Sequence, residues 1–168
     1  MSDSQSVVEF IEGRLLEIQS IGGKYPYLGF TLVCQGIEFL GACLDELPFT
    51  EKDLSENRFR KAMDGLFPNN YAAFIRAGSR CYLYEQLRCG LVHTLKPQSQ
   101  IALTTRNENK GKHLNQDERG RTILCFEDFV EDYAVACKKV ITKIKAKRLT
   151  NPKVHGDYLN ITGGLSGC

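Results

Sequence analysis

The stretch Asn70–Leu95, NYAAFIRAGSRCYLYEQLRCGLVHTL, decides how the rest of the chain is read. Its spacing predicts one long helix, roughly 37 Å at the usual rise per residue. Asn69 or Asn70 can cap its start, and Pro97 stops it two residues past Leu95. On a helical wheel Phe74, Ala77, Cys81, Tyr84, Arg88, Leu91, Val92 and Leu95 share one stripe, the pattern of a core-facing helix. Arg88 stands in the middle of that stripe. A charge there must be paired or functional, because burying it alone is costly. His93 follows five residues later, and the pair spells Arg-Cys-Gly-Leu-Val-His.

Outside this stretch the composition sets bounds. A chain of 168 residues suffices for one domain with a real core. Apolar content of 42% and charged content of 25% are ordinary for a globular chain. A net charge of +2 gives no global basic field, so nucleic acid would have to be held by a local patch. The apolar runs read as shorter than a membrane span, and the start MSDSQSVVEF lacks the basic residues of a signal peptide. The expectation is a cytoplasmic protein without a membrane anchor. Seven cysteines include no Cys-x-x-Cys pair, which predicts reduced thiols among apolar neighbours, no metal and no cofactor.

Upstream, Val7, Val8, Ile11, Leu15 and Ile18 predict a first helix over about 4–20, ended by Gly22-Gly23. A second helix over about 27–45 is apolar on most sides and is read as the central one. Its Glu38 can reach Arg88 across a bundle. A short helix ends near Leu66 and buries Phe59, Ala62, Met63 and Leu66, with Arg58, Arg60 and Lys61 on a solvated basic face. Downstream, residues 101–105 and 122–126 read as the strands of a small hairpin, and Lys112–Asn115 as another short strand. A last helix over about 127–148 carries the stripe Phe129, Val130, Tyr133, Cys137, Val140, Ile141 and Ile144. Its acidic start and Lys-rich end complement the helix dipole. The fold expected is all-α: an up-down helical bundle with a small β-hairpin, about 101–126, before the last long helix. Residues 1–148 form one domain, and 149–168 a loose tail.

Arg-x-x-x-x-His near the end of a long helix, in a small helical chain, resembles the HEPN domains over roughly residues 5–148. The resemblance implies a dimeric four-helix module and, for many members, metal-independent cleavage of RNA. It assigns catalysis to Arg88 and His93. It also implies a homodimer, an RNA substrate, and a toxin or defence setting with a cognate antitoxin or regulatory protein as partner. The chemistry agrees. Histidine can take the proton of a 2′-hydroxyl near neutral pH, and the arginine fork can stabilise a phosphorane. On a straight helix, residues five apart point about 140° apart. One copy then fails to focus both on one phosphate unless Gly90 marks a kink; a two-fold pairing of the two helices would bring both pairs to one cleft.

Four further residues support this site. Glu38 and Glu85 are candidate ion partners of Arg88. Tyr84 lies one turn before Arg88 and can orient it. Cys89 directly follows, where many active HEPN members carry Asn, Asp or His. That departure supports an alternative, a catalytically inactive HEPN-like dimer acting as a binding or regulatory module. A purely structural alternative makes Arg88 half of a buried salt bridge and His93 a cap on the helix C-terminus. The spacing recurs with six intervening residues at Arg106/His113 and Arg148/His155. There, polar turn residues 107–111 and Asn151-Pro152 break the helix that the pair would need.

Overall fold

Outside residues 70–95 the periodic apolar residues build the helices that local spacing predicts. The structure is a computed structural model describing residues 3–149 and 151–154. Helix α1 (Asp3–Lys24) buries Val7, Val8, Ile11 and Ile18. Helix α2 (Pro26–Leu44) opens on a proline, which costs nothing in a first turn whose N–H has no partner. It packs against α1, α3 (Ser55–Leu66) and α6 (Phe126–Lys145), and its Phe30, Val33, Ile37 and Leu40 form the middle of the core. The protein is therefore mainly α-helical, with α2 central. By length and composition α2 could cross a membrane, contrary to the run-length reading, but half of its most apolar stretch is buried inside the bundle.

Gly22-Gly23 does not end α1. The helix runs through both to Lys24. Gly22 is needed for packing: a Cβ there would lie 1.9 Å from Phe126 Cζ, and one on Gly29 2.4 Å from the same ring. The missing side chains let Phe126 wedge into the α1–α2 corner.

The expected hairpin is also different. Strand β1 (Ile101–Thr104) pairs with β2 (Thr122–Cys125) in parallel, Ile101 opposite Thr122 and Thr104 opposite Cys125. Parallel strands need a long crossover, and the intervening segment supplies it with the short helix α5 (Arg106–Asn109). A Thr105–Glu108 capping box starts that helix. The antiparallel partner of β2 is instead the segment just before it. Leu114 N–H donates to Ile123 O, Ile123 N–H donates to Asn115 O, and Gln116 bridges Thr122.

Residues 149–154 depart from the loose-tail reading. Asn151, Lys153 and Val154 are buried, and Asn151 Nδ2 donates to Cys43 O at 2.8 Å and Asp45 O at 2.9 Å. The rest of the expected tail, with His155, lies outside the described residues. Six cysteines are free thiols, five of them buried; Cys168 lies outside the described residues.

Ile141 is buried on the stripe of α6, and Leu91 is buried although Val92 and Leu95 of the stripe expected around it are exposed. Truncating either to alanine should cost about 2–5 kcal/mol in denaturant melts. A loss under about 0.5 kcal/mol would place that side chain outside the core.

Candidate functional site

The long helix expected over Asn70–Leu95 is broken. A 3-10 turn, Asn69–Phe74, leads into a bend with Gly78 at φ +79°, a left-handed conformation that glycine adopts freely. Helix resumes only at Leu83. Tyr84–Cys89 is π-helical and passes directly into α4 (Gly90–Thr94). Tertiary packing explains the break. Tyr71 and Tyr82 are both fully buried, and each hydroxyl is claimed by a distant carboxylate, Asp132 and Glu56 respectively, at 2.8 Å. The two tyrosines are thus held by different partners, Tyr71 by one on α6 and Tyr82 by one on α3.

Arg88 lies near the end of the π-helical stretch. Its Nε donates to Glu38 Oε1 and its Nη2 donates to Glu38 Oε2 at 3.1 Å, with Ser55 Oγ at 3.5 Å from the same Nη2. The Tyr84 ring lies 5.5 Å from the guanidinium carbon, within cation–π range. Burial opposes the Arg88 charge, but the hydrogen bond and charge of Glu38 outweigh it and raise the Arg88 pKa. The Cys89 side chain is also hydrogen-bonded to Arg88, and Nη1 has no oxygen partner among the described residues. Both members of the pair are about one-sixth exposed, so the guanidinium sits at the rim rather than sealed in the core.

The structure thus brings Glu38, Tyr84, Ser55 and Arg88 together, with Cys89 half-buried beside them. Glu85 is exposed and makes no ion pair with Arg88. His93 is exposed on α4 and has no hydrogen bond among the described residues. Nor does it cap the helix. Leu95 in the left-handed conformation, with Lys96 N–H donating to Gly90 O, closes that end, and Thr94 Oγ1 donates to Gly90 O at 2.8 Å. Tyr27 O–H holds the Leu95 carbonyl at 2.7 Å. Gly90 marks close approach: a Cβ there would meet Lys96 O at 2.6 Å. The chain therefore doubles back over α4; Arg88 is paired with Glu38, while His93 is exposed and unbonded among the described residues.

Sequence reasoning missed a second polar cluster. Cys125 N–H donates to His113 Nδ1 at 3.1 Å, which assigns the ring proton to Nε2. Nε2 lies 2.7 Å from the Tyr71 hydroxyl oxygen, and that hydroxyl donates to Asp132 Oδ2. Burial holds the His113 pKa below its ordinary value, against the pull of Asp128 and Asp132. Arg106 spends its guanidinium on Asp128 and Glu131. His113, Cys125 and Asp128 offer ligand atoms within 4.8 Å of one another, and Asp128 Oδ2 is buried without a partner. A cation there would first have to break one of the two hydrogen bonds that occupy the His113 nitrogens. The cluster is a structural knot joining Tyr71, β2 and α6, and its partners lie 42 and 61 positions apart. No local signal in the sequence could have joined them.

Protonating His113 would set an N–H against the Cys125 N–H. Its native pKa is depressed, so between the native and unfolded values the unfolded chain binds the extra proton. Its contribution to stability is therefore full above about pH 6.5 and is lost as the pH falls through the depressed native value. The slope is at most about 1.4 kcal/mol per pH unit, and less because the ring is only part-buried. Urea melts from pH 7.5 to 5.5 should show this decline in the native chain and a flatter one in His113→Asn. Equal slopes would remove His113 as the cause.

Comparison of the chain with protein-family models, with curated proteins and with solved structures finds no match.

Proposed function

We propose that this chain is a metal-independent RNA endonuclease of HEPN type, acting as a two-fold homodimer in the cytoplasm. The observation that carries the proposal is the state of Arg88. Its guanidinium sits on a π-helical turn, a feature that recurs at functional sites. Glu38 anchors one edge of it, while Nη1 is left without an oxygen partner. That arrangement suits a fork held ready for a phosphoryl oxygen. His93, exposed on the same helix, is free to act as base toward a 2′-hydroxyl. A second copy, pairing the two helices about a two-fold axis, would bring its His93 to this copy's Arg88. A cognate antitoxin or regulatory protein would then act by covering this cleft.

One observation favours a second reading. Glu38 already offsets the Arg88 charge, and Cys89 stands beside it where a further polar group would help catalysis. On that reading the chain is a catalytically silent dimer serving as a binding or regulatory module. The test combines light scattering with incubation of single-stranded RNA in excess chelator. A dimer that leaves 2′,3′-cyclic phosphate ends supports the endonuclease. A dimer that leaves RNA intact at every concentration supports the silent module, and a monomer without activity removes both.

A further inference from the structure

We propose that the open cleft between α3 and the bend at Arg76–Ala77 binds the phosphodiester backbone of single-stranded RNA, with Arg60, Lys61 and Arg76 as its phosphate contacts. This rests on RNA being the substrate, as proposed above. The cleft measures about 700 Å³, and its lining includes Asn57, Arg60, Lys61, Asp64, Ile75 and Arg76.

The first argument is the state of the three cations. Arg14, Arg58, Arg88, Arg106 and Arg121 each spend the guanidinium on a carboxylate. Arg60, Lys61 and Arg76 are exposed and form no ion pair among the described residues. Arg60 is four residues from Glu56 on one side and from Asp64 on the other, the spacing at which helix pairs form. It pairs with neither, and Glu56 instead accepts the Tyr82 hydroxyl at 2.8 Å. Three unspent cations thus face one carboxylate, Asp64, across a single cleft. In a chain whose net charge is only +2, nucleic-acid binding requires a local basic patch of this kind; the exposed Lys138, Lys145, Lys147 and Arg148 toward and just past the end of α6, also without an ion pair among the described residues, form another.

The second argument is what else lines the cleft. Ala72, Ile75 and Ala77 are aliphatic, and the lining holds no aromatic ring on which a base could stack. Such a surface offers its charge to the phosphate backbone and nothing to a base. The third is position. Ser55, at the start of α3, lies against Arg88, and Arg60 stands five residues further along the same helix, about 7.5 Å by helical rise. Because the two positions also lie about 140° apart around α3, a strand would have to turn about the helix as well as run along it to reach the Arg88 guanidinium.

The experiment measures anisotropy of a short labelled RNA, 2′-O-methylated throughout so that binding is separated from cleavage, against the full chain over a range of salt. The Lys61→Gln/Arg76→Gln double variant should bind several-fold more weakly at low salt. Its slope of log affinity against log salt should be shallower by about 1.4, roughly 0.7 for each lost phosphate contact on a single strand. Lys61→Arg/Arg76→Lys should keep the native slope, which separates lost charge from lost fold. An unchanged slope and affinity in the double variant would overturn the proposal. So would an equal loss of binding to polyglutamate, which would reassign the cleft to an acidic protein. RNA that binds with the stated slope but is never cut sinks the cleavage reading and leaves the cleft standing. Cleavage whose KM is the same in the double variant sinks the cleft and leaves the endonuclease standing.

Discussion

Replacing His93 with alanine should slow RNA cleavage by on the order of 10²–10⁴, the usual contribution of a positioned base. His93 is exposed and without hydrogen bonds among the described residues, so the substitution removes a chemical group without emptying the core. Melting should be unchanged, which makes the rate readable by itself. Arg88→Lys should fail as well, for a different reason. Lysine keeps the charge but loses the fork that holds Glu38 through two nitrogens and leaves a third for substrate. Glu38→Gln completes the set. If Glu38 is a positioning residue, kcat should fall with KM little changed, whereas a purely structural pair would show only a lower melting midpoint. Cleavage that survives both His93→Ala and Arg88→Lys would place the activity elsewhere and end the assignment.

Arg58→Ala should be strongly destabilising, by about 3–5 kcal/mol, as for breaking a buried ion pair. Arg58 is 7% exposed, which corrects the reading of it as part of a solvated face. Its Nε donates to Asp45 Oδ2 at 2.8 Å, its Nη1 to Phe49 O at 3.0 Å and its Nη2 to Pro48 O at 2.7 Å. Lys153 Nζ reaches the other oxygen of Asp45 at 2.6 Å and also donates to Leu47 O. One guanidinium therefore ties the turn after α2 to α3, and the same carboxylate ties that turn to residues 151–154. Burial works against the Asp45 charge, but the Arg58 and Lys153 hydrogen bonds outweigh it and hold its pKa below the usual range. Removing Arg58 leaves Asp45 short of one partner and takes a donor from the part-buried carbonyls of Pro48 and Phe49. Arg58→Lys should recover only part of the loss, since one ammonium cannot span the same acceptors. Urea melts decide it, and a loss below about 1 kcal/mol would mean that water replaces the guanidinium at little cost.

Four helices were legible in the chain because their signal is local. The apolar repeats of α1, α2, α3 and α6 report which side of a helix meets the core, and each of these elements forms within a few residues of where its repeat begins. The partnership of Arg88 with Glu38 was legible for a related reason, since each is a charge on a helix that is otherwise apolar on that side. The sequence therefore determined a mainly helical chain and the core stripes of those four helices, and it narrowed the partner of Arg88 to Glu38 or Glu85; of the stripe read over 70–95, Ala77, Val92 and Leu95 are exposed instead. The break at Gly78, the π-helical turn, the parallel strands and the Tyr71–His113–Asp132 cluster belong to the tertiary structure alone. Asn70–Leu95 has the periodicity of one helix, but the hydroxyls of Tyr71 and Tyr82 bond to carboxylates 61 and 26 positions away. A repeat records whether a residue is buried, whereas the partner that satisfies a buried polar atom is chosen by how the elements pack.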